Sequence, residues 1–117
     1  GTRFIATQEA NAQAAYKQMV LEATAGDIVY TNLFTGVHGN YLRQSIELAG
    51  LDPDALPESD KTAMRYGSGG SSKAKAWRDI WGAGQGVGGV HTRNSVAEEV
   101  ATLREDYQKA LDHLRRL

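Results

Sequence analysis

The chain has 117 residues, 41% of them hydrophobic and 23% charged, and a formal net charge of -1 at pH 7. That is enough for one hydrophobic core, and the near match of 13 Lys and Arg to 14 Asp and Glu leaves no basic surface for nucleic acid or an anionic membrane beyond Arg115-Arg116. The absence of cysteine excludes disulfides and thiolate metal sites, and no apolar run approaches the ~20 residues of a membrane span, so a cytoplasmic protein is expected.

The first residue is Gly1, without an initiator methionine, a basic leader or a signal-like segment, and the chain is expected to begin within a longer protein. Residues Arg3 to Ala6, with Gly1-Thr2 in front, read as the end of a strand that breaks into a helix at Thr7. The Thr7 hydroxyl caps the first turn, Glu9 favours the positive end of its dipole, and Gly26 stops the helix. Asp27 to Phe34 is β-branched and aromatic, the composition of a strand with a buried face. A turn over Thr35 to Asn40 follows, and Asn40 is expected to cap a second helix that carries Leu42, Ile46 and Ala49 and ends at Gly50.

Leu51 to Pro57 holds both prolines and reads as a loop, and Ser59 to Tyr66 as a short helix at most. Gly67 to Ser72 has the composition of a flexible connector. It leads into a helix over Lys73 to Trp81, in which Trp77 and Trp81 are expected to pack inward. In the last element Ser95 and Glu98 form a capping box, and Val96, Val100, Leu103, Tyr107, Ala110 or Leu111, and Leu114 share one stripe. Glu105 with Lys109, and Asp112 with Arg116, are spaced for ion pairs on its wet face. Such a stripe is expected to be buried within its own protein.

Trp77 to Gly89 is the chemically distinctive stretch, because its glycines expose backbone N–H groups to close approach by a ligand or a neighbouring segment. Gly84 to Gly89 spells G-x-G-x-x-G. The dinucleotide fingerprint, however, needs a strand before it and a helix after it, and here a helix precedes. A linker before the last helix is the plain alternative. Gly1-Thr2-Arg3 beside a helix start combines N–H groups, a hydroxyl and a guanidinium, which is the chemistry of a phosphate site, although many such turns bind nothing. His38, His91 and His113 have no metal-ligand spacing, and no carboxylates form an acid/base pair, so a complete active site is not expected in this chain.

Taken together, Gly1-Thr2-Arg3-Phe4-Ile5-Ala6-Thr7-Gln8-Glu9-Ala10, Tyr16-Lys17, Asp27 to Thr31 and Trp81 to Gly86 resemble, in order and spacing, the C-terminal part of nitronate monooxygenases, formerly 2-nitropropane dioxygenases. The resemblance implies an α/β fold, the C-terminal portion of an FMN-binding (β/α)8 barrel with a smaller, mostly helical domain. This chain itself would be mostly α with one or two short strands. It implies FMN as cofactor, with Gly1, Thr2 and Arg3 at the phosphate, after the last barrel strand as in other such barrels. Gly84 and Gln85 would lie on the flavin side of the pocket, where backbone and amide donors suit the ring carbonyls and nitrogens.

Residues 1–26 would then be the end of the last strand plus a helix, 27–76 a small helical and strand domain with its connector at 67–72, and 77–117 the flavin-side loop and C-terminal helix. The implied reaction oxidises alkyl nitronates with molecular oxygen. The implied partners are a small nitronate, oxygen, and the remainder of the barrel, upstream or as a separate chain. The catalytic base is expected outside this sequence, since His38 and His91 lie downstream of the last strand. Two rivals remain open: a flavin-dependent enoyl-acyl carrier protein reductase of the same fold, and a free-standing helical interaction domain that uses the stripe of the last helix.

Overall fold

The computed structural model of the chain describes residues 1–58 and 76–117, and the side chains of all of these but 76 and 77. The expected short helix over Ser59 to Tyr66, the connector at 67–72 and the packing of Trp77 lie outside the described residues.

The first element corrects the expected strand end: Thr2–Ile5 is a single helical turn, α1. A strand must satisfy its N–H and C=O groups against a neighbour, and among the described residues none pairs with this segment. The turn satisfies them locally, with the Phe4 N–H donating to the Gly1 carbonyl at 3.0 Å. The next helix, α2, spans Ala14–Glu22 and so starts later than Thr7. Neither expected capping group is available for it. The Thr7 hydroxyl donates back to the Phe4 carbonyl at 2.7 Å, and both Glu9 carboxylate oxygens accept the N–H of Val96, 87 residues away, at 3.0 Å. Gly26 falls in a 3-10 turn after α2, over Ala25–Asp27, closed by reciprocal bonds between Thr24 and Asp27.

The strand expected from Asp27 appears as β1, Ile28–Thr31, paired antiparallel with β2, Gly39–Leu42, in the register Ile28 to Leu42 and Tyr30 to Asn40. Asn40 is therefore a strand residue and not a helix cap, because pairing with β1 extends the backbone through it. The helix α3, Arg43–Leu48, begins three residues after Asn40, and the Ser45 hydroxyl donates to the Leu42 carbonyl at 2.7 Å. Its end is where Gly50 was expected to place it. Gly50 has φ +86°, and the N–H groups of Gly50 and Leu51 donate to the carbonyls of Glu47 and Ile46, the two bonds of a Schellman closure.

After the helical turn α4, Ala76–Asp79, the chain lies along β2: the Leu42 N–H donates to the Trp81 carbonyl at 2.7 Å, and the Ala83 N–H to the Asn40 carbonyl at 3.3 Å. A 3-10 turn over Gln85–Gly89 then drops Val87 into the core. There it meets Ala6, Met19, Val20, Leu42 and Val90, so residues from the first, middle and last thirds of the sequence share one core. Each Val or Leu buried this way contributes about 1.5–3 kcal/mol.

The last helix, α5, spans Val96–Arg115. Of the expected capping box the Ser95 half is present, its hydroxyl accepting the Glu98 N–H at 3.1 Å, and so is the Glu105–Lys109 pair at 2.9 Å. Asp112 pairs with Arg115 at 3.9 Å and not with Arg116. The stripe expected to be buried faces outward in this chain, with Val100 53%, Tyr107 69% and Leu114 64% exposed. Among the described residues no helix is long and apolar enough to cross a membrane.

Candidate functional site

The two stretches singled out in the sequence, Gly1 to Arg3 and the glycine-rich segment after Trp81, meet. The Thr2 hydroxyl accepts the Gly84 N–H at 2.8 Å across 82 residues of sequence. The approach is close: a Cβ on Gly84 would stand 3.0 Å from the Thr2 Oγ1, and the Thr2 side chain would have to give way by a few tenths of an ångström. None of the segment's glycines takes a left-handed backbone, since the positive φ values among the described residues belong to Gly36 and Gly50. Gly82 lies against the Asn40 carbonyl in the same way, with a built Cβ at 3.3 Å. The neighbours that order the loop are thus parts of this chain. Gln85 and Gly86 form its exposed edge, and a Cβ on Gly86 would meet open space.

Gly1 is exposed and caps α1. Arg3 points elsewhere, to α5. Its Nη1 donates to the Glu99 Oε1 at 3.1 Å and lies 3.5 Å from the Asp106 Oδ2, while the second Glu99 oxygen accepts from Asn94 at 3.2 Å. Glu99 is 5% exposed, so this carboxylate is buried only because Arg3 and Asn94 satisfy it. A guanidinium flanked by two carboxylates offers no net positive charge to a phosphate. The sequence had no signal for this: Arg3 and Glu99 are 96 residues apart, and both look like surface charges when read singly.

Tyr16 and Trp81 hold the other side of the segment. Their rings stack with centroids 4.9 Å apart and planes 6° from parallel, and the Tyr16 hydroxyl donates to the Gly82 carbonyl. Burial pushes the Tyr16 hydroxyl above its usual pKa of 10.0, because the charged phenolate would lose its water. The Trp81 N–H groups are satisfied as well, the backbone one by the Ser45 hydroxyl at 3.1 Å and the indole one by the Arg78 carbonyl at 2.8 Å. Trp81 packs against the core as expected.

Chemically, this arrangement holds and orients. His38 is exposed and stacks on Tyr30 at 4.7 Å, and His91 and His113 are exposed. Among the described residues no group of three His, Cys, Asp or Glu is placed to hold a metal. The features that fit a flavin are the Thr2 hydroxyl, which accepts from Gly84 and keeps its own proton to donate, and the open Gln85-Gly86 edge. Arg3 does not fit the phosphate, for the reason of charge given above.

No protein-family model and no curated protein matches the sequence. The fold is similar to the structure of the FabK (M276A) mutant from Thermotoga maritima, with a TM-score of 0.62 and 17% sequence identity. The similarity covers 98% of this chain and 35% of that one, so this chain spans about a third of the length of that structure. The α/β fold of this chain is that of one part of a larger protein.

Proposed function

We propose that this chain is the C-terminal portion of a flavin-dependent oxidoreductase built on an FMN-binding (β/α)8 barrel and, within that class, of a cytoplasmic nitronate monooxygenase. One observation carries the reading. The two short segments that the family resemblance assigns to the flavin lie 82 residues apart in sequence and are held side by side by the Thr2–Gly84 hydrogen bond. The fold similarity to FabK, which uses all but a sliver of this chain and about a third of its own, supports the larger barrel as the setting.

In that setting the Gly1 backbone and the Thr2 hydroxyl face the phosphate, and Gly84 and Gln85 line the ring side. Bound FMN supplies the two-electron redox chemistry, and these residues position it. Arg3 acts on the site indirectly, by fixing the turn that carries Thr2 to α5. The remaining strands, the catalytic base, the nitronate and the oxygen come from outside this chain.

A second reading, a flavin-dependent enoyl-acyl carrier protein reductase, takes its weight from the fold similarity being to FabK. The longer protein that contains this chain tests both. Purified, it should carry flavin absorbance or acquire it from added FMN; a colourless protein that takes up no FMN sinks the flavin reading. Oxygen uptake with an alkyl nitronate supports the first activity, and nicotinamide oxidation with an enoyl thioester replaces it by the second.

A further inference from the structure

A cavity of about 330 Å³ opens between the loop after α1, the first turn of α2 and the approach to α5, lined by Ala6, Gln8, Ala12, Ala14, Lys17 and Arg93. It lies apart from the Thr2–Gly84 contact. We propose that it binds a phosphate, either free or as the end of a small monoester, between Lys17 and Arg93.

Charge carries the argument. The lining holds two cations and no carboxylate. Lys17 Nζ donates to the carbonyls of Thr7 at 2.7 Å and Gln8 at 3.4 Å, and Arg93 Nη2 to the Gln18 Oε1 at 2.9 Å and the Ala14 carbonyl at 3.4 Å. These acceptors are neutral, so they orient the two head groups without cancelling them, and neither head group exhausts its donors on them. Arg3, Arg43, Arg78, Lys109 and Arg115 behave differently, each lying within 4 Å of a carboxylate oxygen.

The nearby acids have other partners: Glu22 accepts from the Gln18 amide at 2.9 Å, with Gln18 between it and the Arg93 guanidinium. Glu9, the one carboxylate between Ala6 and Lys17 in the sequence, is committed to the Val96 N–H, and Glu99 to Arg3 and Asn94. Two like charges facing one partly enclosed space repel, and a dianion between them removes that cost. A planar guanidinium opposite an ammonium suits the tetrahedral oxygens of phosphate.

The walls are tied before any ligand arrives. The Gln8 N–H donates to the Asn94 carbonyl at 2.9 Å, which fixes the loop of residue 8 to the segment that carries Arg93. The Lys17 bonds fix the same loop to α2, and the Arg93 bonds fix that segment to α2 at Ala14 and Gln18. A site held in this way loses little entropy when it is filled.

The test is a titration of the 117-residue chain with inorganic phosphate at constant ionic strength, followed by backbone amide shifts. Saturable shifts centred on Gln8, Ala14, Lys17 and Arg93 are expected, with chloride not competing. Lys17→Met and Arg93→Met should each weaken binding roughly tenfold, and Lys17→Arg should retain it. Arg93 is exposed, so its variant remains informative if Lys17→Met fails to fold. No saturable shift, or equal binding by Arg93→Met and the parent, overturns the proposal. Displacement of phosphate by glycerol phosphate but not by glycerol assigns the site to a small phosphate monoester, and no displacement assigns it to free phosphate. A colourless parent protein leaves this titration untouched, so the two proposals fail separately.

Discussion

Around Val87 the chain buries what its composition says it should: Val20, Leu42 and Val87 are 0% exposed. Along α5 the same kinds of side chain face outward. The hydrogen bonds and ion pairs that tie α5 to the rest run from Arg3 to Glu99 and Asp106, and from the Val96 N–H to Glu9. The body is held by exclusion of water, and α5 is tied to it by polar bonds. An amphipathic period says that a helix has a face to cover, but not which piece of protein covers it. Salt should therefore loosen α5 only slightly, since screening reaches the exposed Asp106 while the buried Glu99 keeps its pairing with Arg3.

The largest effect is expected in the body. Leu42→Ala should cost about 3 kcal/mol in urea unfolding followed by tryptophan fluorescence, and a loss below ~1 kcal/mol would contradict a core centred there. Arg3→Met should come next, at roughly 2 kcal/mol, less than a fully buried pair because the Arg3 side chain is 29% exposed. Its mark is regional: faster amide hydrogen exchange over the first turns of α5 with the body still protected. Uniform loss of protection would mean that the two regions are one cooperative unit.

Tyr16→Phe should cost about 1 kcal/mol by deleting the bond to the Gly82 carbonyl. It also alters the pH dependence. The folded state holds the phenol proton more tightly than the unfolded state, whose pKa is near 10.0. Above that pH the unfolded state binds fewer protons, and stability falls until the folded pKa is passed. The parent should lose stability over that alkaline range in urea titrations at stepped pH, and the variant should lose less; identical slopes would remove Tyr16 as the cause. The smallest effect is expected on the stripe. Tyr107→Gln should stay within ~0.5 kcal/mol in this chain, and a loss above ~1 kcal/mol would show that the stripe is covered after all.

The parts of the fold legible in the sequence are those in which cause and effect are close together. Gly50 ends α3 through bonds that reach back three and five residues, Ser95 caps through Glu98, and Glu105 finds Lys109 one turn on. Thr7 and Glu9 look like caps for their own helix by the same local logic, and the reading fails because the Thr7 hydroxyl turns back to the Phe4 carbonyl and the Glu9 carboxylate is claimed by the distant Val96 N–H. β2 was missed since Gly39-Asn40-Tyr41-Leu42 is short and half polar, and pairs as a strand only because β1 and Trp81 to Ala83 flank it. Of the candidate site, the meeting of Thr2 with the glycine segment was legible only through the family resemblance, which assigns both segments to one pocket. The diversion of Arg3 to Glu99 was not, since nothing local distinguishes one arginine from another.

The bonds from Thr2 to Gly84, Glu9 to Val96 and Arg3 to Glu99 span 82, 87 and 96 residues, which has a consequence during synthesis. At 5–20 residues per second, the first ten residues leave the ribosome roughly 5–20 seconds before their partners exist. For that interval the Thr2 hydroxyl, the Arg3 guanidinium and the Glu9 carboxylate lack these partners, and Ala6 has only Met19, Val20 and Leu42 of its core neighbours. The bonds that fix this segment to the glycine-rich turn and to α5 close only when the last helix has been made.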